Sequence, residues 1–347
     1  MRILLFLIST CSLLTAAVPW KSALKQKPDW YATSEAHQLA EKVMLYQRDN
    51  GGWPKNQDLA KDLSKKDLKK LRTQRNDLKE TTIDNGATHN PLRFLLRIWQ
   101  SKASPDIESS IHRGLSFLLK SQYPNGGWPQ RPHGSGYSLH ITFNDGAMIG
   151  VMSFLKEVLE ENPSLLTQKE KTAIKSTLSQ GLDCILKTQI RVNGKPTVWC
   201  AQHNRETLLP AKARSYEHPS FSGGESADIV KYLMEGKDPS PEVCASIESA
   251  VAWFQAHQIK GIRTEKKDGN KVIIEDQSAP VLWARFYHLK TAKPIFSGRD
   301  GIIKFSFAEI ESERRNGYAW YVNKPRAILK DYPAWRESLK TAQAPPR

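Results

Sequence analysis

Apolar residues recur at helical spacing from Asp29 to Gln47 (Ala32, Ala36, Leu39, Ala40, Val43, Met44), which predicts a helix that delivers Gln47 to its end. The same period runs from Ile107 to Leu119 and again from Leu178 to Lys187. Each predicted helix leads into a polar loop that carries a Trp. The first loop is QRDNGGWPK, Gln47 to Lys55, and it recurs as QYPNGGWPQR, Gln122 to Arg131. A worn third copy is QIRVNGKPTVW, Gln189 to Trp199, with a helix start at Gly223-Gly224-Glu225-Ser226-Ala227-Asp228. A fourth is assigned to helix Val251 to Gln258, loop Gly261 to Asp276 and a further helix from Ala279 to Leu289, within which WARFYH (Trp283 to His288) has strong helical character.

The repeated unit is therefore helix, aromatic loop, helix. Such hairpins cannot bury their apolar faces alone and pack side by side, so the expected fold is mainly α: an α/α toroid-like, incomplete barrel of helical hairpins with short strands and long loops at its active face. Asn-Gly-Gly-Trp-Pro is a turn with a rigid exit, and Trp53 and Trp128 are expected to plug the inner barrel rather than to lie open as sugar platforms. Lys61 to Arg75 reads as a charged helical insertion with a solvated face, and Asp268-Gly269-Asn270 as a hairpin turn.

After each of the first two aromatic loops comes a short run that changes from β-type to helical: TTIDNGATH, Thr81 to His89, and ITFNDGAM, Ile141 to Met148. Asp84-Asn85 and Asn144-Asp145 fit helix N-caps. Two copies in one chain admit a second reading. If both turns face one cleft, their hard oxygens suit Ca²⁺, with Asp84, Asp145 and Asn144 as ligands.

Composition narrows the partners. A formal charge of +15 at pH 7 favours an anionic partner. Met1 to Ala17 (MRILLFLISTCSLLTAA) has a basic start, an apolar run and small residues before Val18-Pro19, and reads as a signal peptide for secretion or export to the periplasm. Cys11 within it allows a lipoprotein as a minor alternative. Export disfavours nucleic acid, and no membrane partner is expected beyond the signal. The expected division is 1–17 signal peptide, 18–28 polar leader, 29–335 one catalytic domain and 336–347 a flexible tail, in a monomer. Beyond the signal, Cys184, Cys200 and Cys244 allow at most one disulfide, and no zinc spacing is present.

Candidate chemistry gathers in three more places. The segment from Val198 to Ser220 concentrates Gln202, His203, Asn204, Arg205, Lys212, Arg214, Tyr216 and Glu217, which suggests loops lining a site. Arg285 lies in WARFYH, and Arg299 lies in the glycine-flanked SGRDG, where the backbone can present a guanidinium.

The ordered set NGGWPK, TTIDNGAT, NGGWPQR, ITFNDGAM, WCAQHN to ARSYEHPS, WARFY, GRDG and GYAWY resembles the pectate lyases of polysaccharide lyase family 10, over roughly Asp29 to Tyr321. That resemblance implies an α/α toroid-like catalytic domain cleaving polygalacturonate by Ca²⁺-assisted β-elimination. It implies Asp84 (with Asn85) and Asp145 at the metal and substrate site, Arg214 and Arg285 on substrate carboxylates and Arg299 as the Brønsted base. Tyr216, His203 and Asn85 join the expected substrate contacts. Tyr321 leads into Val322-Asn323-Lys324-Pro325, which departs from the family pattern at that end. Two rival readings remain open. One is an inverting glycosidase on an α/α toroid, with Asp84 and Asp145 as acid and base. The other is a non-catalytic binder of acidic polysaccharide. The Q-x-x-x-G-x-W loops also resemble those of helical-barrel terpene cyclases, but the aspartate clusters of that class are missing.

Overall fold

A computed structural model describes residues 18–343. The proposed signal peptide, 1–17, and residues 344–347 lie outside the described part. The main helices are α1 (Ser34–Leu45), α2 (Lys65–Thr73), α3 (His89–Ser101), α4 (Pro105–Lys120), α5 (Ala147–Glu161), α6 (Gln168–Thr188), α7 (Gly223–Met234), α8 (Pro241–Ala256) and α9 (Lys324–Gln343). They form an incomplete α/α toroid. Helices α3, α5 and α7 follow one another in an inner row, while α1, α4, α6 and α8 back them in an outer row. The sequence accounts for the division. Inner α5 buries Met148, Ile149, Val151, Met152, Phe154, Leu155 and Val158 around much of its circumference, whereas outer α6 keeps a single buried stripe including Ile174, Gly181 and Ile185. Local signals set several starts: Thr33 caps α1, Ser64 and Asp67 form a capping box on α2, and Thr167 and Glu170 form one on α6.

One device recurs in every unit. Trp53, Trp128, Trp199 and Trp283 are fully buried. Each indole N–H donates to a carbonyl near the end of the preceding helix: Val43 at 2.9 Å, Leu118 at 2.8 Å, Ile185 at 2.7 Å and Phe254 at 2.9 Å. The plug reading therefore holds for Trp53 and Trp128, and their rings are not sugar platforms. Gln47, Gln122 and Gln189 add a second tie, each donating to its own loop and to the carbonyl of Ser110, Thr177 or Ser246 on the next outer helix. Gly51 and Gly126 are required because the loops cross that helix closely. A Cβ at Gly51 would lie 2.0 Å from the Arg113 carbonyl oxygen, and one at Gly126 1.9 Å from that of Gln180.

One expectation fails. Trp283 to His288 is not a helix: Trp283–Ala284 pairs with Tyr321 and Val322, and Phe286–His288 pairs with Ser220–Ser222. Trp283, Phe286 and Tyr287 stand at helical spacing, but aromatic residues also favour strands once partner strands are present, and those partners are distant in sequence. The second helix expected from Ala279 to Leu289 is thus absent, and α9 packs on α7 and α8 instead. Helix α9 also runs through most of the expected tail, to Gln343. The hairpin is as expected: Ile262–Lys267 pairs with Asn270–Glu275, and Asp268 and Gly269 turn with φ 50° and 78°.

The loops at the active rim have their own apolar base. Ala201, Tyr216, Phe286, Ile295, Phe296, Phe307, Ile310 and Trp320 form a second buried cluster beneath the arginine-bearing segments. Among the described residues no helix is long and apolar enough to cross a membrane.

Candidate active site

The two acidic turns adopt one geometry. Asn85 and Asp145 both have φ 51°, followed by Gly86 at 72° and Gly146 at 69°. Asn and Asp tolerate that left-handed conformation better than other non-glycine residues. In each turn the first side chain points inward and the second is exposed, so Asp84 and Asn144 are buried while Asn85 and Asp145 face the rim. Acid and amide are exchanged between the copies, and the turns pack against each other. Asp84 pairs through Oδ2 with Lys55, while its Oδ1 is buried without a hydrogen-bond partner. Asn144 donates to Asp145 Oδ2 at 2.7 Å.

The third copy lacks this turn. Thr82 N–H donates to the Trp53 carbonyl and Trp53 N–H to Thr88; the equivalent pair in the third copy is Ser222 and Ser226 around Trp199. Helix α7 begins directly at Ser222, whose side chain also bonds Glu225. Glu225 is thereby brought beside the acidic turns.

Arg285 joins these copies. Its Nη2 donates to Glu225 Oε1 at 2.7 Å, Asn144 Oδ1 at 2.9 Å and Asp145 Oδ1 at 3.2 Å. The guanidinium also lies 4.6 Å from the ring centroid of Tyr318. Burial would lower the Arg285 pKa, but Glu225, Tyr318 and Asp145 outweigh it and raise it, so the group stays cationic. Its backbone is fixed by Trp320 and Gly223, a consequence of the unexpected strand pairing.

Arg214 is held differently. Glu217, buried, accepts from Arg214 Nε at 2.8 Å and Nη2 at 2.5 Å, and from the Tyr318 hydroxyl at 2.7 Å. Although burial opposes it, these bonds keep the Glu217 carboxyl below its ordinary range. The Arg214 guanidinium stays about half exposed, with its face on Tyr216 at 5.0 Å. Arg314 covers the same Tyr216 ring at 4.8 Å, so Tyr216 supports the two arginines and has no open face for a sugar. That is a correction to its expected role.

Arg299 sits on the neighbouring loop. Its Nε and Nη2 bond Glu313 at 3.1 and 3.0 Å, its backbone N–H bonds Glu311 at 2.9 Å, and its side chain is 65% exposed. The loop packs against the Arg214 segment, since a Cβ at Gly301 would lie 3.4 Å from the Ser215 carbonyl oxygen. The recorded bonds of Arg299 go to Glu311 and Glu313, not to Arg285 or either turn. Hydrogen bonding to Glu313 raises the Arg299 pKa, opposite to the lowering that a base role calls for.

His203 is fully buried, with Nε2 accepting from Cys200 N–H at 3.1 Å and Nδ1–H donating to the Leu208 carbonyl at 2.8 Å. Both ring nitrogens are used, so His203 organises its loop and leaves the substrate-contact set. Burial lowers its pKa to about 4 and that of His89 to about 3. Both groups take up protons more readily when unfolded, near pH 6.5, so folding stability falls as pH drops below about 6.5. At about pH 5 each should account for about 2 kcal/mol of lost stability. Urea unfolding at neutral pH and at about pH 5 checks this, and a flat profile would contradict it. Cys184, Cys200 and Cys244 are free thiols, and burial raises the pKa of all three, as for inert structural cysteines.

Several site residues were not legible as such. Lys55 was visible only as the end of NGGWPK. Glu225 reads as a cap, because Ser-x-x-Glu before an apolar run is the capping signature. Tyr318 and Glu313 acquire their roles only by contact with arginines elsewhere in the chain, and Arg314 by covering Tyr216, whereas Glu217 stands within the polar segment three residues after Arg214.

The fold and rim together define a helical-hairpin toroid carrying two packed acidic turns, the second of them spanned by Arg285. Pectic acid lyase is the family whose model matches, over residues 47–329. A family 10 polysaccharide lyase from Cellvibrio cellulosa is 31% identical, with a TM-score of 0.77 over 88% of this chain and 94% of that one. An alanine mutant of a family 10 polysaccharide lyase from the same organism, solved in complex with trigalacturonic acid, is 30% identical, with a TM-score of 0.78 over 91% of this chain and 95% of that one. No curated protein matches the chain. The chain belongs to the pectic acid lyases, within polysaccharide lyase family 10, and is an enzyme of the lyase class.

Proposed function

We propose that the protein is a secreted pectate lyase that cleaves α-1,4-linked polygalacturonate by calcium-assisted β-elimination, with Arg299 as the base. The observation that carries this reading is Arg285 lying across Asn144 and Asp145, a cationic group meeting hard oxygen donors at one rim. The trigalacturonic acid bound by the relative supports an acidic galacturonan as substrate.

The donor set fits calcium in kind. Asp84, Asp145 and the amide oxygen of Asn144 are hard ligands in adjacent turns, and the buried Asp84 Oδ1 has no partner. Among the described residues no group of three or more His, Cys, Asp and Glu is assembled for a metal, so uronate oxygens and water would complete the shell. When bound, Ca²⁺ would neutralise substrate carboxylate and stabilise the charge that develops on it.

The protein groups do the rest. Arg285, fixed by Glu225, receives the uronate carboxylate next to the reacting C5, and Arg214, held by Glu217, receives a neighbouring one. Arg299 takes the C5 proton once Glu313 has released it and the guanidine is neutral. The C5–H electron pair becomes the C4–C5 double bond, the C4–O bond breaks with its electron pair on the departing oxygen, and that oxygen takes a proton from solvent water. Asn85, exposed beside Asp84, contacts sugar hydroxyls.

Ultraviolet absorbance of the conjugated double bond tests the reaction on de-esterified polygalacturonate, with Ca²⁺ and then with a chelator. A calcium-dependent rise is expected, falling at least about tenfold with chelator. Reducing ends without absorbance would indicate hydrolysis, with Asp84 and Asp145 as acid and base. Neither product would leave a binding protein.

A further inference from the structure

A cleft outside the catalytic set opens beside Lys55. Its cavity is about 460 Å³, and its walls come from three separate pieces of chain: Lys55 after the first aromatic loop, Lys79 and Glu80 before the first acidic turn, and Gln130 to Ser138 after the second aromatic loop. Two features connect it to the active rim. The Lys55 ammonium reaches from the cleft to Asp84, and the Gln130 carbonyl accepts from both Thr82 Oγ1 at 2.6 Å and Ile83 N–H at 3.1 Å, the residues leading into Asp84. The floor of the cleft and the first acidic turn are thus one hydrogen-bonded unit.

The lining is predominantly cationic. Lys55, Lys79 and Arg131 face a single acid, Glu80, and the Arg131–Glu80 pair is long, at 4.0 Å, and partly exposed. An ion pair of that length and exposure contributes little, so Arg131 remains able to bind another anion. Tyr137 presents an exposed ring on the same wall, held by a Ser135–Ser138 turn whose Ser138 carbonyl accepts from Arg131 N–H at 3.1 Å. A flat aromatic beside cations suits a ring that carries a carboxylate, since the ring can stack while the acid pairs. A neutral sugar would leave the cations unused.

We propose that this cleft is a remote subsite that takes a galacturonate unit beyond those at the scissile bond, with Arg131 and Lys79 pairing its carboxylate and Tyr137 stacking on its ring. The inference rests on the pectate lyase reading. It makes the enzyme discriminate by chain length and by the charge of a distant unit, because each added uronate that reaches the cleft contributes binding to the transition state as well as to the ground state.

The test is kcat/KM on trigalacturonate through hexagalacturonate for the wild type, Arg131→Ala, Lys79→Gln and Tyr137→Ala, followed by the absorbance of the unsaturated product. Thermal unfolding identifies any variant that has lost its fold, and the exposed Lys79 provides a substitution that disturbs no buried contact. In the wild type the ratio of hexamer to trimer kcat/KM should be high, and Arg131→Ala should lower that ratio about tenfold. Methyl-esterified hexamer should lose the same advantage in the wild type. Folded variants that keep the wild-type ratio would overturn the subsite while leaving the lyase reading intact. A wild type that forms no unsaturated product from any oligomer would overturn the lyase reading and the subsite with it.

Discussion

Arg299→Ala is expected to lower kcat on polygalacturonate by a factor on the order of 10³, the range for loss of a positioned general base. KM should change little and Tm should stay within about 2 °C, because an exposed side chain with one surface ion pair contributes little to folding. The opposite pattern, weakened KM with kcat retained, would make Arg299 a substrate contact only. Glu313 allows a sharper check. Its carboxyl is held down to about 2 by hydrogen bonds from Arg314 and Arg299, so it is ionised across the working range and stabilises the guanidinium form of Arg299. A guanidine that must be neutral to accept a proton works against that partner. Glu313→Gln should therefore move the ascending limb of the pH–kcat profile, where Arg299 loses its proton, to lower pH. A limb that moves upward, or not at all, argues that a group other than Arg299 takes the C5 proton.

Arg285→Ala should be the most damaging substitution to the fold and the site together. It strips Glu225 of its cation while leaving the carboxylate buried, and removal of one member of a buried pair costs about 3–5 kcal/mol. It also frees Asn144 and Asp145 from the group that spans them. Activity should fall at least about a hundredfold, as for a lost electrostatic stabiliser. The double variant Arg285→Ala with Glu225→Gln separates the two effects, since it removes the stranded charge and should recover stability in urea unfolding without recovering activity. Recovery of both would reduce Arg285 to a structural counter-ion. Failure to recover stability would mean that Arg285 acts through its packing on Tyr318 rather than through Glu225.

What the amino-acid sequence determined by itself is the repeated unit and its local chemistry. Helical periodicity located the first hairpins, the NGGWP loops announced buried plugs, and Asp-Asn-Gly and Asn-Asp-Gly marked twin turns, because spacing, turn residues and caps act over a few positions. The same locality explains the failures. Trp283 to His288 carries apolar residues suited to helix or strand, and only backbone partners at Ser220–Ser222 and Tyr321–Val322 decide for strand. His203 and Tyr216 look like site residues in a polar segment, yet burial and saturated partners remove them from solvent. Tertiary structure alone decided that Glu225 from the third unit would hold Arg285 over a turn from the second, and that Glu313 would tie down Arg299. Those contacts join charges 60 and 14 residues apart, and a charge has no sequence period to reveal which partner the fold will bring to it.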